Sequence, residues 1–179
     1  MTTHSKVDFA GSAGIDRCGQ VQTPTSSSNL LALAGWLAFC FVASAGAAFV
    51  SVDGWYADLA KPPWNPPSWI FAPAWTLLYT LMAVAAWLVW REGGWTAQRL
   101  PLGLFLAQWT LNAFWTPLFF GMHRPGLALV EIAVFWCVLA ATLVAFWQVR
   151  FIAGFLLLPY LAWVTFAANL NFTIWRMNR

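Results

Sequence analysis

Residues 126–149 read GLALVEIAVFWCVLAATLVAFWQV, a stretch of 24 residues with one ionisable side chain, Glu131. About 20 apolar residues are enough for an α-helix to cross a hydrocarbon core about 30 Å thick. A β-barrel strand would instead alternate between apolar and polar residues over about ten positions. Because backbone groups in lipid must find their hydrogen bonds within the segment, this stretch predicts a membrane-spanning α-helix.

Four further apolar stretches contain no Asp, Glu, Lys or Arg, at about 30–52, 67–90, 100–122 and 151–175. Hydrophobic residues make up 61% of the 179-residue chain and charged residues only 8%, against roughly 25% charged in soluble domains. This composition excludes a soluble protein, and nine singly scattered Lys and Arg argue against nucleic-acid binding. We predict an all-α, multi-pass integral membrane protein, with a five-transmembrane-helix bundle in residues 30–179 after a disordered polar tail, residues 1–29.

The first connection, residues 53–66, is the longest and the richest in proline. The prolines of KPPWNPP (61–67) exclude a helix there, and Asn65 is placed to cap the helix that follows. Such a stiff aromatic loop can be a lid over the bundle or an anchor at the membrane surface. The remaining connections are short, so neighbouring helices run antiparallel. Three more prolines predict kinks within helices: Pro73, Pro117 and Pro159.

Few polar side chains lie inside the predicted spans. Glu131 either hydrogen-bonds between helices or has a proton or ligand role. Gln108 and Asn112, four residues apart, share one helix face with Trp115 and Thr116. They either bond neighbouring helices or orient a mostly apolar ligand inside a cavity. Several deep tryptophans beside them would suit a flat aromatic ligand: Trp75, Trp109, Trp115, Trp136 and Trp163.

Metal ligands and catalytic groups are scarce in the sequence. Both histidines, His4 and His123, lie outside the predicted spans, so no histidine is placed to ligate a metal or haem iron within the bundle. The three cysteines, Cys18, Cys40 and Cys137, show no CxxC spacing. We expect no metal site, no required cofactor and no acid–base catalytic constellation.

Three blocks of sequence resemble one known family. After Trp55-Tyr56 they are KPPWNPPSWIFAPAWTLLY (61–79), QWTLNAFWTPLFFG (108–121) and LPYLAWVTFAANLNFTIWR (158–176). In this order they are similar to the TspO/MBR family, tryptophan-rich sensory proteins related to the mitochondrial translocator protein. The resemblance covers all but the tail. It implies a five-helix bundle, often a homodimer, in a bacterial or mitochondrial outer membrane, with a ligand cavity closed by the first loop.

The resemblance also implies a function. Family members bind porphyrins such as protoporphyrin IX and haem, sterols and synthetic ligands, and bacterial members regulate tetrapyrrole metabolism and stress responses. We therefore expect a tetrapyrrole-binding sensor. A light-dependent protoporphyrin-degrading enzyme and a porphyrin or sterol transporter are the alternatives. Sterol binding is in doubt, because Phe172 stands where the family's proposed cholesterol pattern requires a tyrosine before Arg176.

Alignment of these blocks with the family implies specific site residues. The lid positions are Trp55, Tyr56, Trp64 and Pro66. The cavity positions are Trp75, Gln108, Asn112, Trp163, Ala167 and Leu170. Among them, Trp75 and Trp163 match the tryptophans implicated in porphyrin photodegradation, and Ala167 matches a small-residue position where bulkier side chains alter ligand affinity. In the first helix, Ala43 and Ala47 are small enough to pack against a second copy.

Overall fold

A computed structural model of the chain describes residues 26–48 and 54–179, with side chains for 29–42 and 54–179. All regular elements in these residues are helical, as predicted. In chain order they are α1 (Ser26–Ala48), α2 (Gly54–Asp58), a 3-10 turn (Ser68–Ile70), α3 (Phe71–Trp90), α4 (Gly94–Ala97), α5 (Arg99–Thr116), a π-helical turn (Pro117–Gly121), α6 (Pro125–Val149) and α7 (Phe151–Met177).

Three helices are long and apolar enough to cross a membrane: Ser68–Trp90, Pro125–Val149 and Phe151–Met177. Their bounds lie within two residues of the predicted ones, because hydrophobic length determines both. The described apolar part of α1, Asn29–Val42, is shorter. Because α1 begins at Ser26, the last residues of the predicted tail are helical. The rest of that tail, residues 49–53 and the side chains of Ala43 and Ala47 lie outside the described residues.

The five long helices pack in a closed ring, in the order α1, α3, α7, α6, α5 and back to α1. Only Arg150 separates α6 from α7, and its guanidinium bonds the carboxylate of Glu92, beyond the end of α3, at 2.9 Å. A Cβ on Gly154, in the first turn of α7, would lie 2.8 Å from the Cα of Trp147. Glycine therefore lets the two helices leave this turn in close contact.

Two clusters of buried side chains fill the ring unequally. The larger cluster occupies the half near Arg150 and includes Phe105 and Phe146, whose stacked rings lie 5.8 Å apart. A smaller cluster at the opposite end contains Phe119, Ala128, Leu170 and Ile174. Between the two clusters the packing is incomplete, and the candidate site lies there.

The prolines within helices have different effects. At Pro117, α5 widens into the π-helical turn, where the N–H of Met122 donates to the Pro117 carbonyl at 2.8 Å. The π-helical turn thus begins at Pro117, one of the three positions where a kink is predicted. Pro73 lies in the first turn of α3, directly after the 3-10 turn, near the start of the helical segment Ser68–Trp90, and the kink expected there stays a prediction. Pro159 lies inside α7 as predicted.

Candidate ligand cavity

A cavity of about 380 Å³ separates the two core clusters. Its walls are the N-terminal half of α3, the C-terminal half of α5 with its π-helical turn, the N-terminal half of α6 and the C-terminal half of α7. This volume lies in the range of roughly 300–1,000 Å³ that is usual for small-molecule sites. Six of the predicted ligand residues border it: Tyr56, Trp75, Asn112, Trp163, Ala167 and Leu170.

Three hydrogen-bonded side chains form a polar floor. The hydroxyl of Tyr79 donates to Oδ1 of Asn112 at 3.1 Å, and Nδ2 of Asn112 donates to the hydroxyl of Tyr160 at 2.7 Å. All three residues are buried, and Tyr79 and Asn112 border the cavity. These bonds join α3, α5 and α7 and hold the Asn112 amide in one orientation. The sequence interpretation missed both tyrosines, although a phenol deep in a span needs a partner.

Two indoles form the aromatic wall above this floor. The rings of Trp75 on α3 and Trp163 on α7 are nearly perpendicular, at 78°, with centroids 6.4 Å apart. Trp75 also stacks on Tyr79, at 5.3 Å and 25°. A third indole, Trp115, stacks on Phe119 at 5.1 Å and borders the cavity. Half of the residues that line the cavity are thus aromatic, and the hydrogen-bonded Tyr79 and Asn112 supply polar groups at its floor.

The segment of residues 54–67, which we call the lid, packs with Trp55, Tyr56 and Leu59 against the smaller core cluster beside the cavity. Tyr56 reaches the cavity and donates its hydroxyl hydrogen to Oδ1 of Asn65 at 3.3 Å. Burial raises the pKa of Tyr56, so the phenol stays neutral at physiological pH. The predicted helix cap at Asn65 was wrong. Pro67 occupies the cap position of the 3-10 turn, without a side-chain cap bond.

The other predicted lid residues lie outside the cavity lining. Trp55 stacks on His123 at 4.4 Å and meets Phe119 edge-on at 6.0 Å. Trp64 packs edge-on against Phe166 at 5.9 Å. The carbonyl of Pro66 accepts a hydrogen bond from Nδ2 of Asn65 at 3.4 Å, which fixes the proline-rich turn. These contacts hold the lid on the bundle.

Comparison with known proteins assigns the chain to a family. The family model described as "TspO/MBR family" matches residues 30–176. The chain belongs to the TspO/MBR family. It is 46% identical over 143 residues to "Translocator protein" of Homo sapiens, covering 78% of this chain and 83% of that relative. It is 45% identical over 144 residues to "Tryptophan-rich sensory protein" of Cereibacter sphaeroides (80% and 89%). It is 38% identical over 154 residues to "Protein CrtK" of Rhodobacter capsulatus (84% and 94%).

Membership in the TspO/MBR family, together with three apolar helices long enough to span, makes the chain an integral membrane protein. Phe172, which stands at the sterol-pattern position, lies on the outer surface with 42% of its area exposed. The guanidinium carbon of Arg176 lies 5.8 Å from the centre of its ring. Within the described residues, no cluster of three or more His, Cys, Asp or Glu could hold a metal ion.

Gln108 does not share the cavity with Asn112 in this TspO/MBR protein. It is fully buried, it is not among the residues that border the cavity, and among the described residues neither Nε2 nor Oε1 has a hydrogen-bond partner. The spacing of four residues placed both amides on one helix face. However, Gln108 lies a turn closer to the Arg150 end of the ring, beyond the polar floor.

Among the described residues, Glu131 has no hydrogen-bond partner on another helix. Both of its carboxylate oxygens are buried and have no hydrogen-bond partner among the described residues, so the interpretation as an interhelical hydrogen bond was wrong. Instead, Asn171 joins α6 to α7 beside the cavity. With the Asn171 amide oriented to form both hydrogen bonds, its nitrogen donates to the Pro125 carbonyl at 2.9 Å. Its oxygen accepts from the Leu129 N–H at 3.2 Å.

The lid is fastened to the end of α7 by the side chain of Asn178. Its Oδ1 accepts from the Ala60 N–H at 2.9 Å, and its Nδ2 donates to the Ala60 carbonyl at 2.9 Å. Nδ2 also donates to the carbonyl of Ile174 at 2.8 Å, which anchors the amide on α7. We call this pair of bonds to Ala60 the latch. It connects residues 118 positions apart.

Replacement of Asn178 by alanine is expected to free the lid without disturbing the helices. A net hydrogen bond contributes about 1 kcal/mol, and about 1.4 kcal/mol corresponds to a factor of ten. Loss of the two bonds of the latch should therefore make the Ala60 amide exchange its hydrogen about 30-fold faster. Hydrogen–deuterium exchange of a peptide covering residues 57–61 measures this. Asn169→Ala is the matched control, because that amide donates to the Thr165 carbonyl of its own helix and has no other partner among the described residues. Equal protection in both variants would contradict the latch.

Proposed function

We propose that the protein is a membrane sensor that binds a tetrapyrrole, protoporphyrin IX or haem, in the cavity beneath the lid and so regulates porphyrin metabolism and stress responses. The observation that supports this most is the pair of nearly perpendicular indoles, Trp75 and Trp163, beside the polar floor. A flat macrocycle can stack on one indole and meet the edge of the other. Such binding depends on aromatic contacts and hydrogen bonds and does not require catalytic side chains.

The polar floor suits the acidic groups of a porphyrin. In the two bonds of the floor, Asn112 uses its oxygen and one of its two N–H hydrogens. The second N–H is then available to a carboxylate or carbonyl of a ligand. The one described histidine, His123, does not border the cavity. We therefore propose that a metal-free porphyrin is preferred, since haem iron would gain no imidazole ligand there.

The proposal includes five membrane spans and a homodimer. α1 contains 23 residues. α5 contains 18 residues, and the π-helical turn that continues it adds 5. At 1.5 Å per residue each reaches about 34 Å, enough for a hydrocarbon core about 30 Å thick. Because both helices complete the ring with the three apolar spans, they are proposed to lie at the same depth. The two termini would then lie on opposite sides of the membrane.

Titration with protoporphyrin IX tests the proposed binding. Trp75 and Trp163 should be quenched by a bound macrocycle, so tryptophan fluorescence of the purified protein in detergent should fall and saturate at one ligand per chain. The porphyrin absorption band should shift over the same concentration range. Quenching that rises linearly without saturating up to about 100 μM, a concentration equivalent to roughly 5.5 kcal/mol of binding free energy, would contradict specific binding.

A second candidate function is light-dependent breakdown of the bound porphyrin. It is favoured by the contact chain from Trp163 through Trp75 to the Tyr79 hydroxyl, in which the Trp75 and Tyr79 rings stack at 5.3 Å. Oxidisable indole and phenol rings next to an excited pigment could exchange electrons with it, with dioxygen as the final oxidant. This chemistry needs no acid–base residues.

A further inference from the structure

A second apolar depression lies on the outer side of the ring, between α3 and α7. This α3–α7 groove has a volume of about 440 Å³. Among its lining residues, Leu77 is 57% exposed, and both helices belong to the candidate membrane spans. The groove therefore opens toward lipid. The groove is lined by uncharged side chains, namely Ala74, Leu77, Leu78, Pro159, Ala162, Trp163 and Phe166.

Two aromatic side chains border both the groove and the cavity. Trp163 and Phe166 line both spaces, and their ring centroids lie 5.8 Å apart. Phe71 of α3 meets Trp163 edge-on at 5.9 Å. The partition between lipid and cavity at this point thus consists of aromatic rings. Such rings can move by rotation about side-chain bonds without rupture of a backbone hydrogen bond.

The local backbone of α7 also favours movement at this partition. Pro159 has no N–H, so the Phe155 carbonyl lacks the helical donor it would otherwise have. Trp163 lies one turn after Pro159, on the same helix face. A helix weakened at this position can bend by a few degrees and widen the gap toward α3.

The aqueous mouth of the cavity is closed more firmly. Tyr56 bonds Asn65 across the lid, and Asn178 forms the two-bond latch with Ala60. Opening that side requires the rupture of hydrogen bonds and the movement of a proline-stiffened segment. In addition, a hydrophobic planar ligand partitions into the bilayer, because its apolar surface is removed from water there.

We propose that the α3–α7 groove is a lipid-facing access site, through which a flat, mostly apolar ligand dissolved in the bilayer, such as a porphyrin, reaches the cavity between the rings of Trp163 and Phe166. This inference rests on the proposed function, since it takes the ligand of the cavity to be such a molecule. The same path serves for release. The lid stays closed during both steps.

Filling the groove tests the access path. Ala162 is exposed in the groove and does not border the cavity, so Ala162→Phe should obstruct the path and leave the binding site intact. We expect release of protoporphyrin IX from proteoliposomes into excess apomyoglobin, a porphyrin trap, to slow about tenfold. The equilibrium affinity should change less than about twofold, so association slows by the same factor. Ala133→Phe, on the exposed face of α6, is the matched control and should release the porphyrin like the unchanged chain.

A lid variant distinguishes the two possible paths. With the latch removed by Asn178→Ala, lateral access predicts an unchanged release rate. Faster release from Asn178→Ala, or a release rate from Ala162→Phe equal to that of Ala133→Phe, would overturn the inference and place access at the lid. Failure of the unchanged chain to bind protoporphyrin saturably would instead overturn the proposed function. Thermal melting by circular dichroism verifies that Ala162→Phe is folded.

Discussion

Protoporphyrin IX is expected to bind about 100-fold more weakly when Trp75 and Trp163 are both replaced by alanine. Both indoles border the cavity, and their rings are nearly perpendicular to each other. Contact with an aromatic side chain contributes about 1–3 kcal/mol per ring, and about 1.4 kcal/mol corresponds to a factor of ten, so the loss of one stacked and one edge-on ring reduces the affinity by about two orders of magnitude. The shift of the porphyrin absorption band measures this without reliance on tryptophan fluorescence.

A control variant removes two other indoles. Trp95 and Trp136 do not border the cavity and are 49% and 38% exposed, so their joint replacement by alanine should leave the affinity unchanged. Equal affinities of the two double variants would place the porphyrin elsewhere on the protein.

Illumination separates the candidate functions. A photochemical enzyme loses its defined product in the Trp75/Trp163 variant, even with the cavity saturated, whereas a sensor gives only unspecific bleaching in both.

Replacement of Ala167 by tryptophan is expected to abolish porphyrin binding, with at least a 100-fold loss of affinity. Ala167 borders the cavity and follows Trp163 by one helical turn, so a large side chain there would occupy the space beside the aromatic wall. Because the added ring fills an existing void, the thermal melting temperature should stay the same or rise. Titration and melting of one purified sample give both results.

The exposed alanine Ala133 again provides the control. Ala133→Trp adds the same side chain on the outer face of α6 and should bind the porphyrin with unchanged affinity. If Ala167→Trp bound as tightly as this control while remaining folded, the ligand could not lie in the cavity. A lower melting temperature of Ala167→Trp alone would mean that the void is too narrow for the ring and that α7 has been displaced.

Hydropathy made the helices predictable. The stretch 126–149 has one charged residue in 24, so the bounds of α6 follow from where the polar residues begin. Local chemistry was less predictable. Asparagine is a residue type suited to a helix cap, but the prolines next to Asn65 shift the start of the helix to Ser68. The side-chain amide of Asn65 instead forms hydrogen bonds with the Tyr56 hydroxyl and the Pro66 carbonyl.

The candidate site could be predicted only in part, because helical spacing identifies a face and not the depth of a void. Gln108 and Asn112 share a face, yet two tyrosines from other helices close the cavity at the level of Asn112. Which tyrosines do so depends on packing between helices, to which the sequence gives no direct access. The latch was missed for the same reason, since its partners lie 118 residues apart.

The one-residue turn at Arg150 has a consequence for how the protein adapts to bilayers of different thickness. α6 and α7 contain 25 and 27 residues, and they leave the turn in contact through Gly154 and Trp147. With no slack between them, neither helix can slide along the other to match a thinner hydrocarbon layer. Hydrophobic mismatch must instead be relieved by a common tilt of the hairpin.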